Sequence, residues 1–185
     1  MLVTAGRLYT TTRSHNAVNN GTNALKNAIR EAKSRALASE SSGCPATLNP
    51  CEIFGIRLIF SEANAAARLE YTLQHLYKTP DSLGQNDLVE AQPEVRPLPN
   101  ALRISDLTVG ATSPTKFEVV FLSPFGQAYI NSFTTAIDDS AAYTAENVTA
   151  TNAEIALNVQ GAAVPGYNGY VTIDAVNNNV DVKFE

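Results

Sequence analysis

Near the start of the chain the apolar positions recur at helical spacing, and further along they alternate. Val18, Leu25, Ile29, Ala32 and Ala36 are separated by sevens, fours and threes, which places them on one face of a helix from about Arg13 to Ser39. Lys26, Arg30 and Lys33 fall on the other side. From Ala24 onward the segment is rich in Ala, Leu, Lys, Arg and Glu, all strong helix formers. The half before it carries Asn16, Asn19, Asn20 and Gly21, so it is predicted to be held from outside or to fray. Gly43 is the predicted stop, since a glycine just past the last turn commonly ends a helix.

Beyond Gly43 the period changes from 3.6 to 2. Ile56, Leu58 and Phe60 alternate with Gly55, Arg57 and Ile59, which predicts a strand. Phe117, Val119 and Phe121 form one face of another, and its second face, Glu118, Val120 and Leu122, is apolar enough to be partly covered. Ser123-Pro124-Phe125-Gly126 is a turn signal leading into Gln127 to Ile130. Ile155, Leu157 and Val159 alternate with Glu154, Ala156 and Asn158. Val171, Ile173 and Ala175, then Asn177-Asn178-Asn179, then Val180, Val182 and Phe184 predict a closing hairpin, because asparagine tolerates the positive φ of a tight turn. Weaker strands are expected around Leu69–Leu76 and Ala101–Val109. The stretch Glu90 to Pro99, with Pro93, Pro97 and Pro99, reads as an extended connection. Thr134 to Asn152, rich in Ala, Thr, Ser and Asp, reads as a long surface loop.

A helix first and strands after it, with no βαβ alternation, predicts an α+β fold: an N-terminal helix packed on antiparallel sheets. The chain divides into an N-terminal extension (1–12), the helix (13–40) and an antiparallel β globular domain (41–185). At 185 residues the chain fits one domain, or one domain with a helical extension. No apolar run is long enough to span a bilayer, and the first residues lack the apolar stretch of a secretory signal.

Charge and cysteine usage narrow the class. A net charge of −5 argues against a phosphate-binding surface, which needs clustered cations. The one basic cluster is Lys26, Arg30, Lys33 and Arg35 on the helix, diluted by Glu31. It reads as a solvated helix face, with a partner's acidic surface or nucleic acid as the alternative. The two cysteines lie in Cys44-Pro-Ala-Thr-Leu-Asn-Pro-Cys51, framed by prolines that suit a tight closed loop. A disulfide there would stabilise by about 2–3 kcal/mol and imply an oxidising compartment, whereas two free thiols would fit a cytosolic protein. Zinc needs four ligands, and neither His15 nor His75 is near the pair in sequence.

Candidate chemistry is sparse. Neither histidine sits in a hydrolase motif, and no phosphate-binding loop is present. Ser113-Pro114-Thr115-Lys116 matches Ser-x-x-Lys, but it lies between two predicted strands where Pro114 reads as a turn residue. Asp138, Asp139, Glu146 and Asn147 in one loop, and Asp174 and Asp181 around the last hairpin, lack the ligand spacing of a calcium loop and read as solvated carboxylates. Asn20-Gly-Thr and Asn147-Val-Thr match glycosylation sequons, a pattern common by chance. No enzyme activity, cofactor or metal is expected.

Three segments, in order, resemble the soluble domain of type II secretion minor pseudopilins and type IV minor pilins of the GspH/FimT group. They are the Ala-rich helix Asn23 to Ala36, the strand Glu52-Ile-Phe-Gly-Ile-Arg-Leu-Ile-Phe60, and Lys116-Phe-Glu-Val-Val-Phe-Leu-Ser-Pro-Phe-Gly126. Ala153 to Leu157 and Tyr170 to Asp174 are similar to the group's closing strands. The resemblance implies a type IV pilin-like fold and a structural subunit in filament assembly, sited at the inner membrane facing the periplasm or in a surface pilus. Its partners would be other pilin or pseudopilin subunits and an inner-membrane assembly platform. The group's N-terminal cleavage site and apolar helix of about twenty residues are not in this sequence, and a truncated start is the expectation that reconciles the two. Membrane contact would then run only through that missing helix.

Some FimT-like pilins take up DNA through basic residues near the C-terminus. Here Val180 to Glu185 offers Lys183 against Asp181 and Glu185, so nucleic acid is not an expected partner. In the filament reading Leu25, Ile29 and Ala32 anchor the helix to the sheet. The alternative is an extracellular adhesin-like or carbohydrate-binding β-domain. A catalytic reading would require a deep pocket lined by His75 and carboxylates.

Overall fold

The computed structural model describes residues 2–39, 44, 52–61, 70–78, 88–98, 102–133, 150–159 and 167–185. One helix, α1 (Leu2–Leu37), is followed by β1 (Glu52–Ser61), β2 (Glu70–Lys78), β3 (Leu88–Glu90), β4 (Glu94–Pro97) and β5 (Leu102–Val109). Then come β6 (Lys116–Leu122), β7 (Ala128–Phe133), β8 (Asn152–Val159), β9 (Gly169–Asp174) and β10 (Asn179–Phe184). The class is α+β.

The helix is longer than its periodicity predicts. It begins at Leu2 rather than near Arg13, so residues 2–12 belong to the same rod and are not a separate extension. No proline occurs before Pro45, so nothing in residues 2–37 removes a helical hydrogen bond. At 1.5 Å per residue the rod is about 54 Å long. Its end also differs from expectation. The last helical residue is Leu37, and Ser39, at φ 52°, takes the left-handed position expected of a glycine. Gly43 lies outside the described residues.

The strands form two sheets in which every pairing is antiparallel. The first has β1 at its centre, in the order β3-β2-β1-β6-β7, with β4 also pairing β2; the second runs β10-β9-β8-β5. β3 pairs with Leu76–Lys78 and β4 with Glu70–Leu73, so the two short strands lie one after the other along the same edge of β2. The proline-rich stretch predicted to be a mere connection is therefore an edge strand over Glu94–Pro97. An edge accommodates proline because one side of its ladder needs no donor. The segment predicted as a loop to Asn152 ends sooner, since Ala150 bridges Ile130 and Asn152 opens β8. Residues 134–149 lie outside the described set, and with them Asp138, Asp139, Glu146 and Asn147.

A continuous core joins the helix to both sheets. Leu25, Ala28, Ile29, Ala32 and Ala36 share it with Ile56, Leu58, Phe60, Phe117, Val119 and Phe121 of the first sheet. Ile155, Leu157, Val171 and Ile173 enter it from the second sheet. Burying each of the larger side chains contributes about 1.5–3 kcal/mol. Asn178, at φ 53°, occupies the turn between β9 and β10, as a tight hairpin requires.

Candidate functional site

The helix-to-sheet junction is the feature on which the filament reading turns. Val18, Leu25, Ile29, Ala32 and Ala36 are each at most 1% exposed. Alanine at 32 and 36 brings the helix axis close to the strands beneath. Earlier along α1 the approach is closer still. A β-carbon added at Gly21 would lie 1.8 Å from Leu102 Cδ1. On the opposing strand, one added at Gly169 would lie 2.0 Å from Thr22 Oγ1 and 2.9 Å from Val18 Cγ1. Thr22 is fully buried, and its hydroxyl donates to the Val18 carbonyl at 2.7 Å. The segment of weak helix propensity is thus held by contact with β5 and β9, with small residues placed where the backbones meet.

Both flanks of the helix are gripped by charged side chains. On one flank Lys26 Nζ donates to Asp181 Oδ1 (3.2 Å), Arg30 Nη2 to the Val180 carbonyl (3.1 Å) and Lys33 Nζ to the Asn178 carbonyl (2.8 Å). The cations expected on a solvated or partner-binding face thus reach β10 and its turn, while Arg30 stays exposed. The three cations sit four and three residues apart, so they form one stripe, and that stripe lies along the outer edge of β10. Unpaired carbonyls on a sheet edge invite a foreign strand, and here α1 supplies donors to two of them. Hydrogen bonds from Lys26 and from the Val182 amide hold the exposed Asp181 carboxyl below the usual carboxylate range.

On the opposite flank Glu31 accepts from Arg35 one turn later and from Arg96 of β4 at 3.3 Å. Arg96 also pairs with Glu94 at 2.8 Å. That hydrogen bond holds the Glu94 carboxyl low and, with further bonding to Tyr71, raises the Arg96 pKa. Burial pushes the Tyr71 hydroxyl up, partly offset by the same arginine. At the helix end Ser39 Oγ lies 2.9 Å from Ser123 Oγ of the β6–β7 turn.

The helix is not docked uniformly. None of residues 11–17 is buried, and the first fully buried side chain among the described ones is Val18. Beside this stretch the His15 ring stacks on Tyr167 at 3.9 Å, with Tyr167 Oη donating to Asn19 Oδ1 at 2.6 Å. Tyr167 in turn stacks on Phe184.

A second polar feature has no counterpart in the sequence reading. On the face of the first sheet turned away from the helix, Gln74, Arg57, Glu118 and Asn131 form a row across β2, β1, β6 and β7. All four are at most 6% exposed. Arg57 donates to Gln74 Oε1 and lies 3.6 Å from Glu118 Oε2, while Asn131 Nδ2 donates to Glu118 Oε1 at 2.9 Å. Gln74 Nε2 closes the row on the Ala91 carbonyl at 2.9 Å. Leu76 and Val120 are buried beside it. The ionic partners lie on different strands far apart in sequence, and only the β1–β6 register brings them together.

The remaining candidates do not converge. Ser113 to Thr115 form the turn between β5 and β6, and Lys116 opens β6. Asp174 accepts from the Val176 and Asn177 amides of its own turn, and Asp181 is taken by Lys26. His75 stacks near Tyr77 on β2, far along the chain from His15. Among the described residues no group of three or more potential metal ligands is gathered. Among them too, no helix is long and apolar enough to cross a membrane. Cys44 is disulfide-bonded and packs on the core. Cys51, the other half of the expected pair, lies outside the described residues. No protein-family model, no curated protein and no solved structure matches the chain.

Proposed function

We propose that this chain is a non-enzymatic structural subunit of a pilin-type filament, a minor pseudopilin of a type II secretion system or a minor pilin of a type IV pilus. The observation that carries the reading is the division of α1. Its second half is buried in a core shared with two antiparallel sheets, whereas residues 11–17 carry no buried side chain. A rod fixed at one end to a β-body leaves its other end for packing against neighbouring subunits. A type IV pilin-like arrangement of the domain belongs to the same proposal, as does residence in the bacterial cell envelope. The disulfide at Cys44 favours an oxidising compartment.

The partners in this reading are other pilin or pseudopilin subunits and the inner-membrane platform that assembles them. Nucleic acid has little purchase on the described surface. Lys26, Arg30 and Lys33 are engaged by β10 and its turn, and Lys183 is shared between Glu154 and Glu185. The test is deletion of the gene in its native host, with complementation in trans. The expected result is loss of surface filaments or of secreted protein, restored by the wild-type gene. Unchanged filaments, secretion and surface motility in a host that normally makes the protein would contradict the proposal.

A further inference from the structure

We draw no further inference here: the strongest candidate, the exposed apolar patch at the C-terminal end of α1 where Leu37 lies against the turn bearing Phe125, carries nothing because no feature of the structure shows what covers it.

Discussion

The two sheets treat their outer faces in opposite ways. On the second sheet that face is wet. Lys183 lies over the Tyr170 ring and pairs with Glu154 at 3.2 Å, Arg103 donates to Asn158, and Lys183 is 48% exposed. On the first sheet the outer face is closed, and Arg57 and Glu118 are buried at 5% and 3% exposure. Both faces use ion pairs across strands, between adjacent β1 and β6 on the first sheet and between β10 and β8, on either side of β9, on the second, but the physical stakes differ. An exposed pair exchanges one solvated state for another and contributes little. A buried charge has no such exchange, so losing one partner leaves the other stranded in a low dielectric.

The sharpest way to break that comparison is to remove one buried partner. Glu118→Ala should cost about 3–5 kcal/mol by urea unfolding. The double variant Arg57→Met/Glu118→Leu should recover part of that loss, because it strands no charge even though Gln74 Oε1 and Asn131 Nδ2 lose their partners in the row. Lys183→Met on the wet face should leave the denaturation midpoint within error. Equal losses for Glu118→Ala and Lys183→Met would mean that the two faces do not differ in the way their burial implies.

A smaller effect is expected where the helix meets the second sheet. Gly169→Ala inserts a methyl group into the space of Thr22 Oγ1 and should cost about 1–3 kcal/mol as overpacking. Thr22→Ala in the same chain should return part of it, giving a coupling energy that two independent sites would not show. Additive losses would place the two residues apart.

The smallest effect belongs to the exposed clasp between Lys26 and Asp181. The Asp181 carboxyl is held below its unfolded value, so its contribution to stability is present above the ordinary carboxylate range. That contribution is lost as pH falls through the folded pKa. Asp181→Asn should therefore lower Tm slightly at neutral pH, and the difference from wild type should close on acidification. A difference that persists in acid would assign the effect to something other than the carboxylate charge.

The comparison also explains which parts of the molecule can be read from sequence. The second sheet alternates: β9 runs buried, half-buried, buried along Gly169–Asp174, and asparagine marks its turn. Period and turn chemistry there coincide in a short stretch of chain. The helical stripe from Leu25 to Ala36 is legible for the same reason, since spacing alone groups its residues. The row from Gln74 to Asn131 is not. A charge in a strand normally signals solvent, and the contact of Arg57 with Glu118 depends on the pairing of β1 with β6.

Two further features depend on context. Asn19, Asn20 and Gly21 weaken a helix taken alone, and the segment is held from outside, as expected: Gly21 and Thr22 are buried because a small side chain is what the meeting with Leu102 and Gly169 requires. Lys26, Arg30 and Lys33 look like a free cationic face until the last hairpin folds against them. Propensity and charge describe a segment in water, and tertiary contact decides whether it stays there.

Native-state hydrogen exchange tests the central claim, that α1 is one rod docked by its second half, most directly. Amides of residues 25–36 should exchange only through global unfolding, since their side chains sit in the common core. Those of residues 11–17, which carry no buried side chain, should exchange orders of magnitude faster, through local opening. Equal protection along the whole helix, or rapid exchange across residues 25–36, would contradict the docked rod.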